Sequence, residues 1–147
     1  MAGEEDIEAV LVWTVIRAGR QLERMVTARL AEQKLTPVQF GILVYLSARP
    51  GLNQSEIARA IQIRQQSVNE VVTAMIDRKL ITRSGPAGRG RRSGLELTES
   101  GQAMLADAWP LVAGINGKTL GLAPGDEATL NRMLHKMLCN PQPSRAV

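Results

Sequence analysis

Aromatic side chains are nearly missing from this 147-residue chain, which has one Phe, one Tyr and two Trp. Its core must therefore come from Leu, Ile, Val, Ala and Met, which suit packed helices better than a large sheet. Cysteine is limited to Cys139, so no internal disulfide framework can form, and a reducing cytoplasm is the compartment expected. No run of about 18 apolar residues offers a membrane-spanning helix. The opening Met1-Ala2-Gly3-Glu4-Glu5-Asp6 is acidic, whereas a secretory signal begins with a basic stretch. Catalytic groupings are missing as well. With one histidine, no nucleophile motif and no paired carboxylates on a convincing frame, no enzyme and no cofactor are expected. Gly85, Gly88, Gly90 and Gly94 lack the Lys-Ser/Thr that a phosphate loop carries into its helix. His135 and Cys139, four residues apart, are too few ligands for a zinc site unless a second copy supplies another pair, so no metal is expected.

What is present is ordinary globular material: 44% hydrophobic and 22% charged residues. The length is that of a single domain over 1–147. The net charge of +4 is unevenly spread. Residues 1–58 carry 6 Lys/Arg against 7 Asp/Glu, residues 59–92 carry 8 against 2, and residues 93–147 carry 4 against 5. All the positive excess lies in one stretch, the usual electrostatic footprint of a nucleic-acid site.

From Ile7 to Leu30, apolar residues recur in steps of three and four, which predicts one long amphipathic helix. Thr36-Pro37-Val38-Gln39 reads as a helix start with Thr36 capping, Pro37 in the first turn and Gln39 closing a capping box. That helix should stop before Pro50-Gly51. Asn53-Gln54-Ser55-Glu56 repeats the capping pattern and opens a short helix through Ala60. A further helix, from near Arg64 to about Lys79, turns Val68, Val71, Val72, Met75 and Ile76 inward. The period then changes. Leu80–Arg83 and Leu95–Thr98 alternate around a Gly-rich tip and read as a β-hairpin. Thr98 can cap the next helix, in which Pro110 predicts a kink or break. A last helix follows Ala123-Pro124-Gly125 and ends near Leu138. The predicted class is mainly α with a small β-hairpin.

Ile57, Ala58, Ile61, Ile63 and Val68 form a small apolar set over two short helices and a tight turn, the pattern of a helix-turn-helix. The second of these helices would leave Arg64, Gln65, Gln66, Ser67, Asn69, Glu70 and Thr73 mostly toward solvent. Gln and Asn make paired hydrogen bonds to adenine, and Ser or Thr serve several bases or a phosphate. Arg89, Arg91 and Arg92 stand at a hairpin tip with little apolar anchoring, where they could reach phosphates or a minor groove. Trp13, Arg17, Phe40, Tyr45 and Trp109 are candidates for a small-molecule pocket, with core packing of the aromatics and a surface role for Arg17 as the simpler reading.

These residues carry a resemblance. Leu35-Thr36-Pro37-Val38-Gln39-Phe40, Asn53-Gln54-Ser55-Glu56-Ile57-Ala58, Lys79-Leu80-Ile81-Thr82-Arg83 and Leu95-Glu96-Leu97-Thr98-Glu99-Ser100-Gly101 resemble the MarR family, the multiple-antibiotic-resistance type of bacterial regulator. The resemblance implies a winged helix-turn-helix over 35–98, with dimerisation helices at 7–31 and 99–139. It implies a homodimer that binds double-stranded operator DNA, with the second helix in the major groove and the wing in the adjacent minor groove. Such regulators are often repressors and often respond to small aromatic or anionic effectors. Arg91 matches the arginine of the family's Asp-x-Arg in the wing, whereas Arg89 stands at the Asp position. Gln62 stands where the turn usually has Gly, and Glu70 where several members have Arg. The alternative left open by these departures is a helical ligand-binding or protein-interaction dimer that has lost DNA binding.

Overall fold

The computed structural model describes residues 3–85 and 94–140. It divides into two compact units, Met1–Val112 and Ala113–Val147.

In the first unit, α1 (Glu4–Glu8) and α2 (Leu11–Leu30) replace the single long helix that the periodicity predicts. The chain breaks at Val10, which is extended at φ −81° and ψ 105°. A β-branched residue accepts that conformation at little cost, and a helical period cannot register one extended residue. The Glu8 carboxylate pairs with Arg17 across the break. Only Leu30 of α2 is buried. Ile7, Val10, Leu11, Val12, Trp13 and Ile16 form an apolar run that this chain leaves exposed.

α3 (Pro37–Ala48) and α4 (Gln54–Ile61) begin with the two capping boxes read from the sequence. The Gln39 amide donates to Thr36 Oγ1 at 3.2 Å, and the Thr36 amide donates to Gln39 Oε1 at 3.0 Å. The Glu56 amide donates to Asn53 Oδ1 at 3.0 Å, and the Asn53 amide to Glu56 Oε2 at 2.8 Å. Each box satisfies two backbone donors that a helix start otherwise orphans. α3 is the centre of the core and buries Phe40, Ile42, Leu43 and Leu46. α5 (Gln65–Asp77) buries Val68, Val72 and Met75, spaced four and three apart on one face, as expected.

β1 (Ile81–Ser84) and β2 (Gly94–Leu97) pair antiparallel, Ile81 opposite Leu97 and Ser84 opposite Gly94. Each strand sits one residue from its predicted span. The Gly51 amide donates to the Leu95 carbonyl and the Leu95 amide to the Leu52 carbonyl, both at 2.9 Å, tying the α3–α4 connection to the base of the hairpin.

α6 (Glu99–Ala113) begins at a compact junction. Thr98 Oγ1 donates to the Lys79 carbonyl at 2.6 Å and accepts from the Gly101 amide at 3.0 Å. The Thr98 amide donates to the Leu80 carbonyl at 3.1 Å. α6 continues through Pro110 to Ala113, so of the expected kink or break the break does not occur. Pro110 forfeits its own backbone bond to the i−4 carbonyl, and only three helical residues follow it.

In the second unit, α7 (Asp126–Cys139) follows Gly125, whose φ of 90° suits a residue without Cβ. The Gly117 amide donates to Glu127 Oε2 at 2.8 Å. Nothing on α7 is buried, and Leu130, Met133, Met137 and Leu138 are exposed. Among the described residues, no helix is long and apolar enough to cross a membrane.

Candidate nucleic-acid interface

The pairing of α4 with α5 is a helix-turn-helix built on the core. Ile57 and Ala58 anchor α4 from below, and Val68, Val72 and Met75 anchor α5. Between them, Gln62 takes a left-handed backbone at φ 65° and ψ 40°, ending α4, and its amide donates to the Ala58 carbonyl. The chain re-enters helix at Arg64, which is extended and whose side chain makes no capping bond. The first amides of α5 are therefore not closed off by a side chain, an arrangement that suits anionic oxygens.

With one face of α5 fixed inward, its opposite face is fixed outward by the helical period. Arg64, Gln65, Gln66, Ser67, Asn69, Glu70 and Thr73 are all exposed, as the sequence predicts. Thr73 Oγ1 donates to the Asn69 carbonyl at 2.9 Å, leaving the hydroxyl oxygen to accept. Among the described residues, no hydrogen bond occupies the side chains of Gln65, Gln66, Ser67 or Asn69. The helix thus presents free amide groups at its N-terminal half, where base edges are met in helix-turn-helix proteins. Arg89, Arg91 and Arg92 lie outside the described residues.

The predicted small-molecule residues scatter. Arg17 is engaged with Glu8 on the surface, and the Arg20 guanidinium lies 5.9 Å from the centre of the Trp13 ring. Tyr45 Oη donates to the Ala60 carbonyl at 3.2 Å, a link between α3 and α4. Phe40 is buried and its ring stacks on Trp109 at 6.3 Å, with the planes 28° apart. Trp109, 54% exposed, is the one member of that set that lines a trough between α3 and α6, of about 620 Å³. The other walls are Val44, Ser47, Ala48, Gln102, Leu105 and Ala106. Sequence reasoning missed these. Only Ser47, Ala48 and Ala106 among them are small, a sequence signal that acquires meaning once the two helices are known to face each other.

The model of the MarR family matches residues 33–93. An HTH-type transcriptional repressor of Mycobacterium tuberculosis, Rv2887, is 30% identical over 131 residues, covering 88% of this chain and 94% of the repressor. The chain belongs to the MarR family. Transcriptional regulator HosA of Escherichia coli is 28% identical over 82% of this chain and 91% of its own. Among solved structures, the transcriptional repressor CouR bound to a 23-mer DNA duplex superposes with a TM-score of 0.80 at 29% identity, over 93% of this chain and 98% of that one. CouR bound to p-coumaroyl-CoA gives the same TM-score and identity over 96% and 100%. Rv2887 in complex with salicylic acid gives 0.72 at 30% identity over 88% and 96%. The fold is therefore the winged helix-turn-helix of MarR regulators, and this family member is a DNA-binding transcriptional regulator.

Proposed function

We propose that this MarR regulator is an effector-responsive repressor acting as a homodimer in the cytoplasm, with regulation rather than catalysis as its role. Its DNA contacts come from Arg64, Gln65, Gln66, Ser67, Asn69 and Thr73 on α5 and from Arg89, Arg91 and Arg92 in the hairpin wing. The observation that carries this reading is the exposed amide-rich face of α5, held in place by the buried face behind it. Residues 35–98 serve as the DNA-binding part of one domain spanning 1–147, and residues 7–31 and 99–139 serve as dimerisation helices. The exposed apolar run at Ile7–Ile16 and the exposed stripe on α7 support that assignment, because contiguous apolar surface of this kind marks an interface.

The α3–α6 trough is the proposed effector site. Its volume of about 620 Å³ lies in the range of small-molecule sites. The ligands named for CouR and Rv2887, p-coumaroyl-CoA and salicylic acid, both carry an aromatic ring, and Trp109 offers one to stack on. No charged side chain lines the trough, so it would hold the ring of an effector and leave any anionic group to a cation elsewhere. Effector binding would favour a dimer whose α5 helices no longer match two successive major grooves.

The test is binding to the DNA just upstream of the protein's own gene, beside a scrambled duplex of equal length, at several salt concentrations. Specific binding about a thousandfold tighter than to the scramble, falling steeply with salt, is the expected result. Gln66→Ala combined with Arg91→Ala should weaken specific binding by about tenfold or more, since a bidentate base contact contributes about 1–3 kcal/mol. No binding to either duplex at low salt would instead favour an interaction dimer without DNA function.

A further inference from the structure

The turn between α4 and α5 holds a residue that the fold alone does not require. Gln62 sits at φ 65° and ψ 40°, a conformation that glycine takes freely and a residue with Cβ takes under strain. Two other non-glycine residues among those described share a positive φ, Lys34 at 52° and Lys79 at 59°. In each of those, a distant side chain secures the strained peptide. Arg78 Nη1 donates to the Lys34 carbonyl at 2.8 Å, and Thr98 Oγ1 to the Lys79 carbonyl at 2.6 Å. Gln62 has no such tie. Its backbone amide closes α4 on Ala58, a bond that glycine would make equally well. Its side-chain amide reaches only the Arg59 carbonyl, at 3.4 Å. Strain held without structural return points toward function.

The surroundings indicate which function. Gln62 stands on an open cleft of about 800 Å³ between α4 and the start of α5, together with Ser55, Arg59, Ile63, Arg64 and Gln65. Two exposed guanidinium groups border it, Arg59 and Arg64, and no acidic residue lines it. A cleft with two cations and a primary amide is complementary to a phosphate diester, to which the amide N–H donates and the guanidinium gives charge-assisted bonds.

We propose that Gln62 and Arg59 form a clamp on a backbone phosphate of the operator, beside the base-reading face of α5. Phosphate contacts of this kind fix the register of a recognition helix without reading sequence. The clamp rests on the DNA-binding reading above and adds two residues to it, one of them neutral and held at a cost in stability.

The test uses the full chain. Duplexes are selected from a random-sequence library by the wild-type protein. The affinity of the selected duplex is then measured at several salt concentrations for the wild type, Q62G, Q62N and R59Q, with thermal unfolding of each. Q62G should melt at or slightly above the wild type, because glycine relieves the strain. It should nonetheless bind the duplex about three- to tenfold more weakly, the range of one lost hydrogen bond. Its salt dependence should be unchanged, because a neutral amide displaces no counterion. R59Q should lower the slope of log affinity against log salt by about 0.9, one phosphate's worth. Q62N, which keeps an amide and tolerates the left-handed backbone, should fall between Q62G and the wild type. If Q62G and Q62N bind as tightly as the wild type, the clamp is overturned while DNA binding stands. If the library yields no enriched sequence, the DNA-binding reading fails and the clamp fails with it.

Discussion

Gly101→Ala is expected to destabilise the protein by about 3 kcal/mol or more, at the upper end of overpacking penalties. A Cβ built on Gly101 lies 2.0 Å from the Leu80 carbonyl oxygen and 3.0 Å from its carbon. That neighbour is backbone, so no side chain can swing aside. Nor can the Leu80 carbonyl retreat freely, since it accepts from the Thr98 amide at 3.1 Å. The first turn of α6 would have to lift away, and the Thr98 hydroxyl would lose its bond to the Gly101 amide, a cap worth about 1 kcal/mol. Thermal unfolding should show a midpoint lower by about 6–12 °C for a chain of this size. The same junction joins the C-terminal end of α5 to the hairpin and to α6, so DNA affinity should fall along with stability. An unchanged midpoint would show that α6 can start one residue later without loss.

Ile57→Ala is expected to cost about 3 kcal/mol, within the range for deleting a fully buried Ile side chain down to its Cβ. Ile57 is 0% exposed and is one of two buried residues on the eight-residue α4. A helix that short is held by its packing far more than by its own hydrogen bonds. Its other anchor, Ala58, is already small, so the neighbouring core has little to move into the void. Denaturant unfolding should show a lower midpoint at an unchanged slope. A loss below about 1 kcal/mol would mean that α4 collapses onto the core without Ile57. Because α4 seats the turn at Gln62, the variant separates support of the DNA-binding unit from its contacts, which Gln66→Ala tests alone.

Local chemistry was the most legible part of the sequence. The capping boxes at Thr36 and Asn53 involve residues three apart, and both form as read. The outward face of α5 followed from the inward spacing of Val68, Val72 and Met75, so its amides could be placed before any tertiary contact was known. Features that depend on two distant segments were not legible. The α3–α6 trough sets Val44 against Leu105, and nothing in either stretch marks the pairing. Gly101 is one of 13 glycines, and its intolerance of a Cβ comes from a carbonyl across the fold. The break at Val10 escaped a periodic pattern that bridges it smoothly. Pro110 reads as a kink or break, and the helix runs three residues past it. The clamp residue Gln62 was visible only as an unusual side chain at a turn; its strain is a property of backbone angles.

The scarcity of aromatics gives the proposed effector site its own optical reporter. The chain holds two tryptophans, Trp13 and Trp109, and Trp109 stands half-exposed at the trough against Phe40. In a Trp13→Phe variant, all remaining indole emission would come from the trough wall. An aromatic molecule entering there would replace water at the ring, moving the emission to shorter wavelength or quenching it by stacking. Occupancy could then be titrated on the free protein, without label or DNA, and compared directly with the concentrations that release the operator.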